Sequence, residues 1–561
     1  MAGEPLLTRP LTRRHFLARL AAASAAGLLA ACSAPAPAPT PEETPAAGTP
    51  GAPTAVALAD TPTPVPTLAP TATSTPAPPT PTPAPTATPL PRLYQQTIRI
   101  FTIEGPRISG PIERHAAAFE QDSGARLEVT RSPIADLLSR TREMARTFSD
   151  AYDCLLLPTD WLGELAMLGH VMPLDSYAQR DKALPDFQLD DIPEGVLDAN
   201  RWAGALYGIP VSSGAQTLFY RKDLLDDPGV QDRYAKLNDG DAIPNPPQQL
   251  AELRKAASYF VGRDLGNGAR GYGFITAITD QAPVAYYALP WVAAYSVVPR
   301  GFAPAAGIFL FAPDMSPLVN TDGFVRGVRE LVEMVDATQK PRLKATREDV
   351  LGEMIRGSAA FALEWSDLAQ AAARDDAAVK GKLGFAPPPG SVDYFDWQTG
   401  KWEERAEAPQ VPVSAFAGWS YFVPKTAKNP DAVWEWVRYH TSPEVSAADV
   451  ALAESGYQPW RRSHASALQP WTAAGWDEES ARGYVQAVLD ASDHPNRVIL
   501  PRLPGMDRYL ATLQSHLISA IVGETKSQAA MDACVGDLNA ITLELGRANQ
   551  VAAYRAHLGA G

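Results

Sequence analysis

From Thr97 to Leu168 the hydrophobic pattern switches repeatedly between a period of two and a period near 3.6. No other feature of the chain restricts its fold as much. Thr97-Ile98-Arg99-Ile100-Phe101-Thr102 alternates as a strand does, and so does Arg126-Leu127-Glu128-Val129-Thr130. Between them Ile112 to Gln121 reads as a helix. After them Ile134 to Phe148 carries Ile134, Leu137, Leu138 and Met144 near one helical face. Cys154-Leu155-Leu156-Leu157 is apolar without interruption, as a strand covered on both faces must be, and it ends at Pro158. A further helix runs from Asp160 to Leu168. The order βαβαβα specifies an open α/β sheet, whose ligands bind beyond the carboxyl ends of the strands. Glu104, after the first strand, and Asp160-Trp161, after the third, therefore lie near one crevice.

A second α/β region follows. Leu250, Leu253, Ala257 and Phe260 are helically spaced within Pro247 to Phe260, and Gly271-Tyr272-Gly273-Phe274-Ile275-Thr276 is a strand. Phe324, Val328, Leu331 and Val335 mark another helix. Asn429-Pro430 and Ser442-Pro443 each pair a capping residue with a proline at the first helical position. Trp397 and Trp402 flank Gly400 in a polar stretch that reads as a hairpin insertion. Trp434 and Trp436 fall inside a predicted helix and read as packing or surface residues.

The N-terminal region is excluded from the fold. In residues 1–32, Arg9, Arg13 and Arg14 precede an apolar stretch from Phe16 to Ala31, too short for a permanent membrane span. Thr12-Arg13-Arg14-His15-Phe16-Leu17 resembles a twin-arginine export signal. Leu29-Ala30-Ala31-Cys32 resembles a lipobox, which makes Cys32 the expected site of lipidation and of membrane anchoring. Residues 33–92 are Pro, Thr and Ala with few large apolar side chains, a composition that cannot build a core. As polyproline helix this stalk would reach on the order of 180 Å at about 3.1 Å per residue.

Composition and motifs exclude several functions. The net charge of −14 over 561 residues argues against nucleic acid as a partner. Three cysteines make no disulfide framework; Cys154 and Cys534 read as buried small hydrophobes. No His-Glu-x-x-His, Gly-x-Ser-x-Gly or phosphate-loop string occurs, so no metal site, cofactor or catalytic residue is expected. Gly266-x-Gly268-x-x-Gly271 matches a dinucleotide fingerprint as text. It follows a helix and precedes a strand, the reverse of what phosphate binding requires, and reads as a loop. Asn238-Asp239-Gly240-Asp241 reads as a solvated turn.

Several segments, in order, resemble the extracellular solute-binding proteins of bacterial ABC importers, the carbohydrate-type family that includes the maltose-binding protein. They are Tyr207-Gly208-Ile209-Pro210-Val211-Ser212 with Leu218-Phe219-Tyr220-Arg221-Lys222-Asp223-Leu224-Leu225, Pro246 through Phe260 with Gly271-Tyr272-Gly273-Phe274, and Met354 to Trp365. Gly418-Trp419-Ser420-Tyr421-Phe422-Val423-Pro424-Lys425 with Lys428-Asn429-Pro430-Asp431-Ala432, and Ser455-Gly456-Tyr457-Gln458-Pro459-Trp460-Arg461, complete the set. The resemblance implies a type II periplasmic-binding-protein-like fold within 93–561, with two α/β lobes and three hinge crossings. One lobe takes about 95–210 and 418–456, the other about 214–412 and 460–545. It further implies an extracytoplasmic monomer, not an enzyme, that captures a sugar or oligosaccharide and delivers it to permease subunits.

Sugars present C–H faces to aromatic rings and hydroxyls to carboxylates, amides and arginine. By its match to the family motif Trp365 stacks on the ligand, with Trp161 and Trp419 next. Asp160 and Glu364 accept hydroxyl hydrogen bonds. Ser212 and Ser213 lie at the first crossing. Trp291, Tyr457 and Arg461 are further candidates, as is Tyr509 near the last helix pair. A polyamine or metal binder, a ligand-sensing receptor module and a secreted carbohydrate-active enzyme remain the alternatives.

Overall fold

The computed structural model describes residues 92–559, apart from 280–282, 299–308, 340–343, 406–409 and 415. The export signal with Cys32, and the stalk as far as residue 91, lie outside the described residues.

The predicted alternation is present. β1 (Thr97–Ile103), α1 (Pro106–Ser123), β2 (Arg126–Ser132), α2 (Ile134–Thr147), β3 (Cys154–Pro158), α3 (Leu162–Met167) and β4 (Gly208–Ser212) form the first body. The second holds β5 (Gln216–Arg221), α4 (Leu250–Phe260), β6 (Tyr272–Ile275), α5 (Val284–Ser296), α6 (Asp322–Thr338), α7 (Arg347–Ile355), β7 (Ala359–Trp365) and β8 (Leu383–Ala386). A hairpin of β9 (Asp393–Asp396) and β10 (Lys401–Glu404) follows, as the tryptophans around Gly400 predict. The chain then supplies β11 (Trp419–Phe422), α8 (Pro430–His440) and α9 (Pro443–Ala451) to the first body. It ends in α10 (Glu478–Ser492), α11 (Met506–Ile521), α12 (Ser527–Glu544) and α13 (Arg547–His557).

Two sheets organise the bodies. The first has the order β2-β1-β3-β11-β4, with β1 parallel to β2 and β3, and β11 antiparallel to β3 and β4. The second has the order β8-β5-β7-β6. β3 lies inside the sheet between β1 and β11, and Leu155, Leu156 and Leu157 are wholly buried, each contributing about 1.5–3 kcal/mol. The chain passes from the first sheet to the second within the few residues between Ser212 and Gln216, and β11 returns it to the first. After α9 it leaves again, since α10 packs on β8 and β5.

Capping chemistry sets several boundaries. The Asn429 side chain accepts from Ala432 N at 3.1 Å and the Ser442 hydroxyl from Val445 N at 3.3 Å, starting α8 and α9 where the Asn-Pro and Ser-Pro pairs predict. α4 starts at Leu250 rather than Pro247, because Gln249 is extended and caps the helix reciprocally with Glu252. α1 begins six residues before the predicted Ile112 and continues through Pro111. Pro106 occupies the first helical position, where no N–H is needed. Pro111 has no N–H for the carbonyl of Arg107, four residues back, and that carbonyl accepts instead from Gly456 N at 2.8 Å.

The glycine triplet at 266–271 is a loop, as expected. The Asp264 carboxylate accepts from the backbone N–H of Gly266, Asn267 and Gly268 at 2.9–3.1 Å, so the loop's donors point at its own side chain. Cys154 and Cys534 are buried free thiols. Trp434 and Trp436 are packed in the core of the first body.

Candidate ligand site at the junction of the two sheets

Three chain segments meet between the sheets. Gly214 and Gly418 adopt φ of +67° and +78°. A Cβ on Gly214 would lie 2.1 Å from Gly418 N, and one on Gly418 would lie 1.9 Å from Ser212 O. Only glycine permits this approach. The Ser212 hydroxyl accepts from Gln458 N at 3.0 Å, tying in the third segment. The first and third crossings are thus joined through Ser212, and the first and second through two glycines.

Around this junction runs a line of aromatic rings. Trp365, at the end of β7, packs nearly perpendicular to Tyr287 and Tyr286, with ring centres 5.1 Å and 6.1 Å away. Tyr286 meets Phe416 at 6.4 Å, and Phe416 meets Trp419 at 5.6 Å. The line begins on the second sheet and ends on the first. Edge-to-face pairing is a favoured aromatic geometry, and Trp365, Tyr286 and Phe416 keep partial solvent exposure while Trp419 is buried. The Arg347 guanidinium lies 5.7 Å from the Trp365 ring centre and supports it.

Tyr286 is the centre of the arrangement. It sits in α5, which is buried on nearly every side and contains Pro290. Pro290 leaves the carbonyl of Tyr286 without its helical partner, and Gln216 Nε2 donates to that carbonyl at 3.3 Å. Gln216 is in register with Trp365 across β5 and β7. At its other end the Tyr286 hydroxyl donates to Asp160 Oδ2 at 3.2 Å, joining the two bodies.

Asp160 follows β3, as the strand-end argument places it. Solvent reaches part of the residue, but Oδ1 is buried and has no hydrogen-bond partner among the described residues. Burial pushes its pKa up to about 7, against the opposing hydrogen bond from Tyr286 and the charge of Arg502. Ser213 Oγ, Gln216 Oε1 and Trp365 Nε1 are likewise buried and unpaired among the described residues. Buried polar atoms are normally hydrogen-bonded. Asp160, Gln216 and Trp365 each contact Tyr286, and Ser213 lies at the adjoining crossing; together these atoms make a set of donors and acceptors suited to a small polar ligand.

Glu364 is placed differently from expectation. It is wholly buried, accepting from Tyr287 Oη at 2.9 Å, Arg347 Nε at 3.2 Å and Trp365 N at 2.8 Å. Burial raises its pKa, and Arg347 opposes the rise. Its oxygens are engaged in holding Trp365 and Arg347. Asp367 accepts from Arg347 Nη2 at 2.7 Å and also pairs with Arg107 of the first body.

The remaining candidates separate. Ser213 and Trp419 are at the junction, and Trp161 is half-buried beside Asp160. Trp291 is packed against Phe274 in the second body's core. Tyr457 donates to Ile108 O at 3.0 Å and is enclosed in the first body. Arg461 is fully buried, with its guanidinium on Thr441 O, Gln188 O and Asp191. Tyr509 is buried against Phe311, with its hydroxyl on Thr542. Glu104 is exposed. Tyr286, Gln216 and Phe416 were not singled out by sequence reasoning. The available signal for Tyr286 was an apolar helix interrupted by Pro290, four residues downstream.

Residues 115–477, roughly two thirds of the chain, match the family described as bacterial extracellular solute-binding protein. A binding protein of Brucella abortus is 25% identical over 257 residues, covering 45% of this chain and 54% of that one. The chain thus spans about half the length of that curated relative. Among solved structures, an ABC transporter solute-binding protein from Agrobacterium radiobacter K84 in complex with ribitol is similar with a TM-score of 0.59 at 20% identity. It covers 81% of this chain and 100% of its own. Maltose-bound T. maritima MalE3 gives a TM-score of 0.58 at 17% identity, covering 79% and 99%. Both share the two-lobed α/β fold. With its two sheets, its crossings and a profile match over most of its folded part, the chain belongs to the bacterial extracellular solute-binding protein family.

Proposed function

We propose that this chain is the lipid-anchored, extracytoplasmic substrate-binding component of an ABC importer, and that it captures a carbohydrate or polyol between its lobes. Cys32 tethers it, the stalk over 33–92 holds it off the membrane, and permease subunits receive the ligand. One lobe comprises about 95–210 and 418–456, the other about 214–412 and 460–545.

The observation that carries this reading is the aromatic line Trp365-Tyr286-Phe416-Trp419, flanked by polar atoms of Asp160, Ser213, Gln216 and Trp365 that have no hydrogen-bond partner among the described residues. Ring faces suit the C–H surface of a sugar, and the polar atoms suit its hydroxyls. Similar proteins in complex with ribitol and maltose support the same class. Trp365 stacks on the ligand, Asp160 accepts from it, and Glu364 acts by positioning Trp365.

The test is thermal unfolding of the purified protein with pentitols, hexitols, mono- and oligosaccharides, polyamines and metal ions. A ligand at 100 times its Kd adds about 2.7 kcal/mol, which raises the midpoint measurably. A rise with sugars or polyols alone supports the proposal. A rise with polyamines or metal ions alone overturns the ligand class while leaving the family intact.

A further inference from the structure

We propose that the ligand carries a protonated amine and that Asp160 is the residue that selects it. The inference rests on the sugar-and-polyol reading and narrows it to amino sugars and amino alditols.

The argument begins with how carboxylates at the junction are paired. Asp367 has both Arg347 and Arg107, and Glu364 has Arg347. Glu164 and Asp507 share Arg142, at 2.6 Å and 2.7 Å. Asp160 has no such partner among the described residues. Its carboxylate receives only neutral donors, the Tyr286 hydroxyl on Oδ2 and its own backbone N–H, and Oδ1 is buried with no partner among the described residues that meets hydrogen-bond geometry. Arg502 acts on it from a distance, but that guanidinium is committed to Ala199 O at 2.5 Å and His557 Nδ1 at 3.3 Å.

A buried carboxylate is costly unless a cation or several donors compensate it. Burial pushes this carboxyl up toward neutrality against the distant charge of Arg502, the response of an acid with no directly paired cation. A ligand hydroxyl would satisfy Oδ1 as an acceptor but leave the charge. An ammonium group would satisfy both, through a charge-assisted hydrogen bond. The surroundings favour the same group. Tyr286 donates to Asp160 and is followed by the rings of Trp365, Phe416 and Trp419, and aromatic faces attract cations once water is removed. The ammonium therefore sits at Asp160 Oδ1, with the carbon skeleton of the same ligand against the rings.

The test compares matched ligands by titration calorimetry on the full chain purified in detergent. D-Glucitol is set against 1-amino-1-deoxy-D-glucitol, and glucose against glucosamine and N-acetylglucosamine. The amine is expected to bind at least about tenfold tighter than its neutral parent, a difference typical of one charged hydrogen bond. Acetylation should abolish that advantage in the wild-type protein, and Asp160→Asn should bring each pair within about threefold. A neutral parent that binds as tightly as its amine overturns the proposal, as does a preference that survives acetylation or Asp160→Asn. Binding of the neutral members alone overturns it while the sugar reading stands. Binding of no member of either pair overturns the amine proposal; if the only response elsewhere in the ligand panel is to polyamines or metal ions, the sugar reading falls with it.

Discussion

Replacing Trp365 by alanine separates the ligand platform from the structure that supports it. The ring is half-buried at the end of β7, with Tyr286 and Tyr287 edge-on and Arg347 beside it. Two aromatic pairs at about 0.5–1.5 kcal/mol each, and one cation–π contact at about 0.5–1 kcal/mol, are lost with the ring. A stability loss of about 2–3 kcal/mol is expected from these terms, small enough for the protein to stay folded. The effect on binding is larger in consequence, because a central aromatic anchor contributes about 2–4 kcal/mol. Kd should therefore rise by about 30-fold to 1000-fold. Calorimetric titration with the ligand found in the unfolding screen measures this. Trp365→Phe keeps a ring against both tyrosines and should cost less than about tenfold. An alanine variant that unfolds cooperatively and binds with wild-type affinity would refute the assignment of Trp365 as the platform.

Three further outcomes follow from the same geometry. Gly418→Ala forces a Cβ to within 1.9 Å of Ser212 O at φ +78° and should cost at least about 3 kcal/mol in urea unfolding; an unchanged midpoint would mean the crossings are not held by this contact. Asp160 has a folded pKa of about 7, against about 3.9 unfolded. The folded state then holds the extra proton between those values, so stability is full below about pH 4 and falls as pH rises to 7. At about 1.4 kcal/mol per unit the fall is on the order of 4 kcal/mol, and Asp160→Asn should remove it from a pH series of unfolding curves. Pro290→Ala restores an N–H that competes with Gln216 for the carbonyl of Tyr286; stability should hold while affinity weakens by about fivefold, the worth of one net hydrogen bond.

The first sheet was legible because its strands and helices are consecutive and their periods differ. Leu155 to Leu157 could not be mistaken for a half-exposed strand, and the position of Asp160 followed from the end of that strand. The crossings were visible through the resemblance, yet side-chain direction was not. Trp291 and Tyr286 lie five residues apart in one helix that is apolar on almost all sides, so no amphipathic pattern told which of them faces the junction. Tyr457 and Arg461 lie near the third crossing but turn into the first body and toward backbone carbonyls. Glu364 directly precedes Trp365, yet its carboxylate is wholly buried and taken up by Tyr287, Arg347 and the Trp365 N–H, a set of partners distant in sequence that no local pattern shows. Arg107 and Asp367 are 260 residues apart, a pairing that no local pattern encodes.

Pro111 and Pro290 show how a local rule reaches the site. Each sits inside a helix, and each leaves the carbonyl four residues earlier without a helical partner. Neither carbonyl is wasted. That of Arg107 receives Gly456 N from the third crossing, and that of Tyr286 receives Gln216 just after the first. Tyr286 is consequently fixed to the second body through its backbone, while its hydroxyl reaches Asp160 on the first. Any rotation that parts the bodies must break the bond to Asp160 and leaves the bond to Gln216 intact. Asp160 Oδ1 and Trp365 Nε1, both without a hydrogen-bond partner among the described residues, belong to opposite bodies. A ligand that bonds both makes its full set of contacts only when the bodies meet. Its preference for that arrangement is the differential affinity through which ligand binding drives closure.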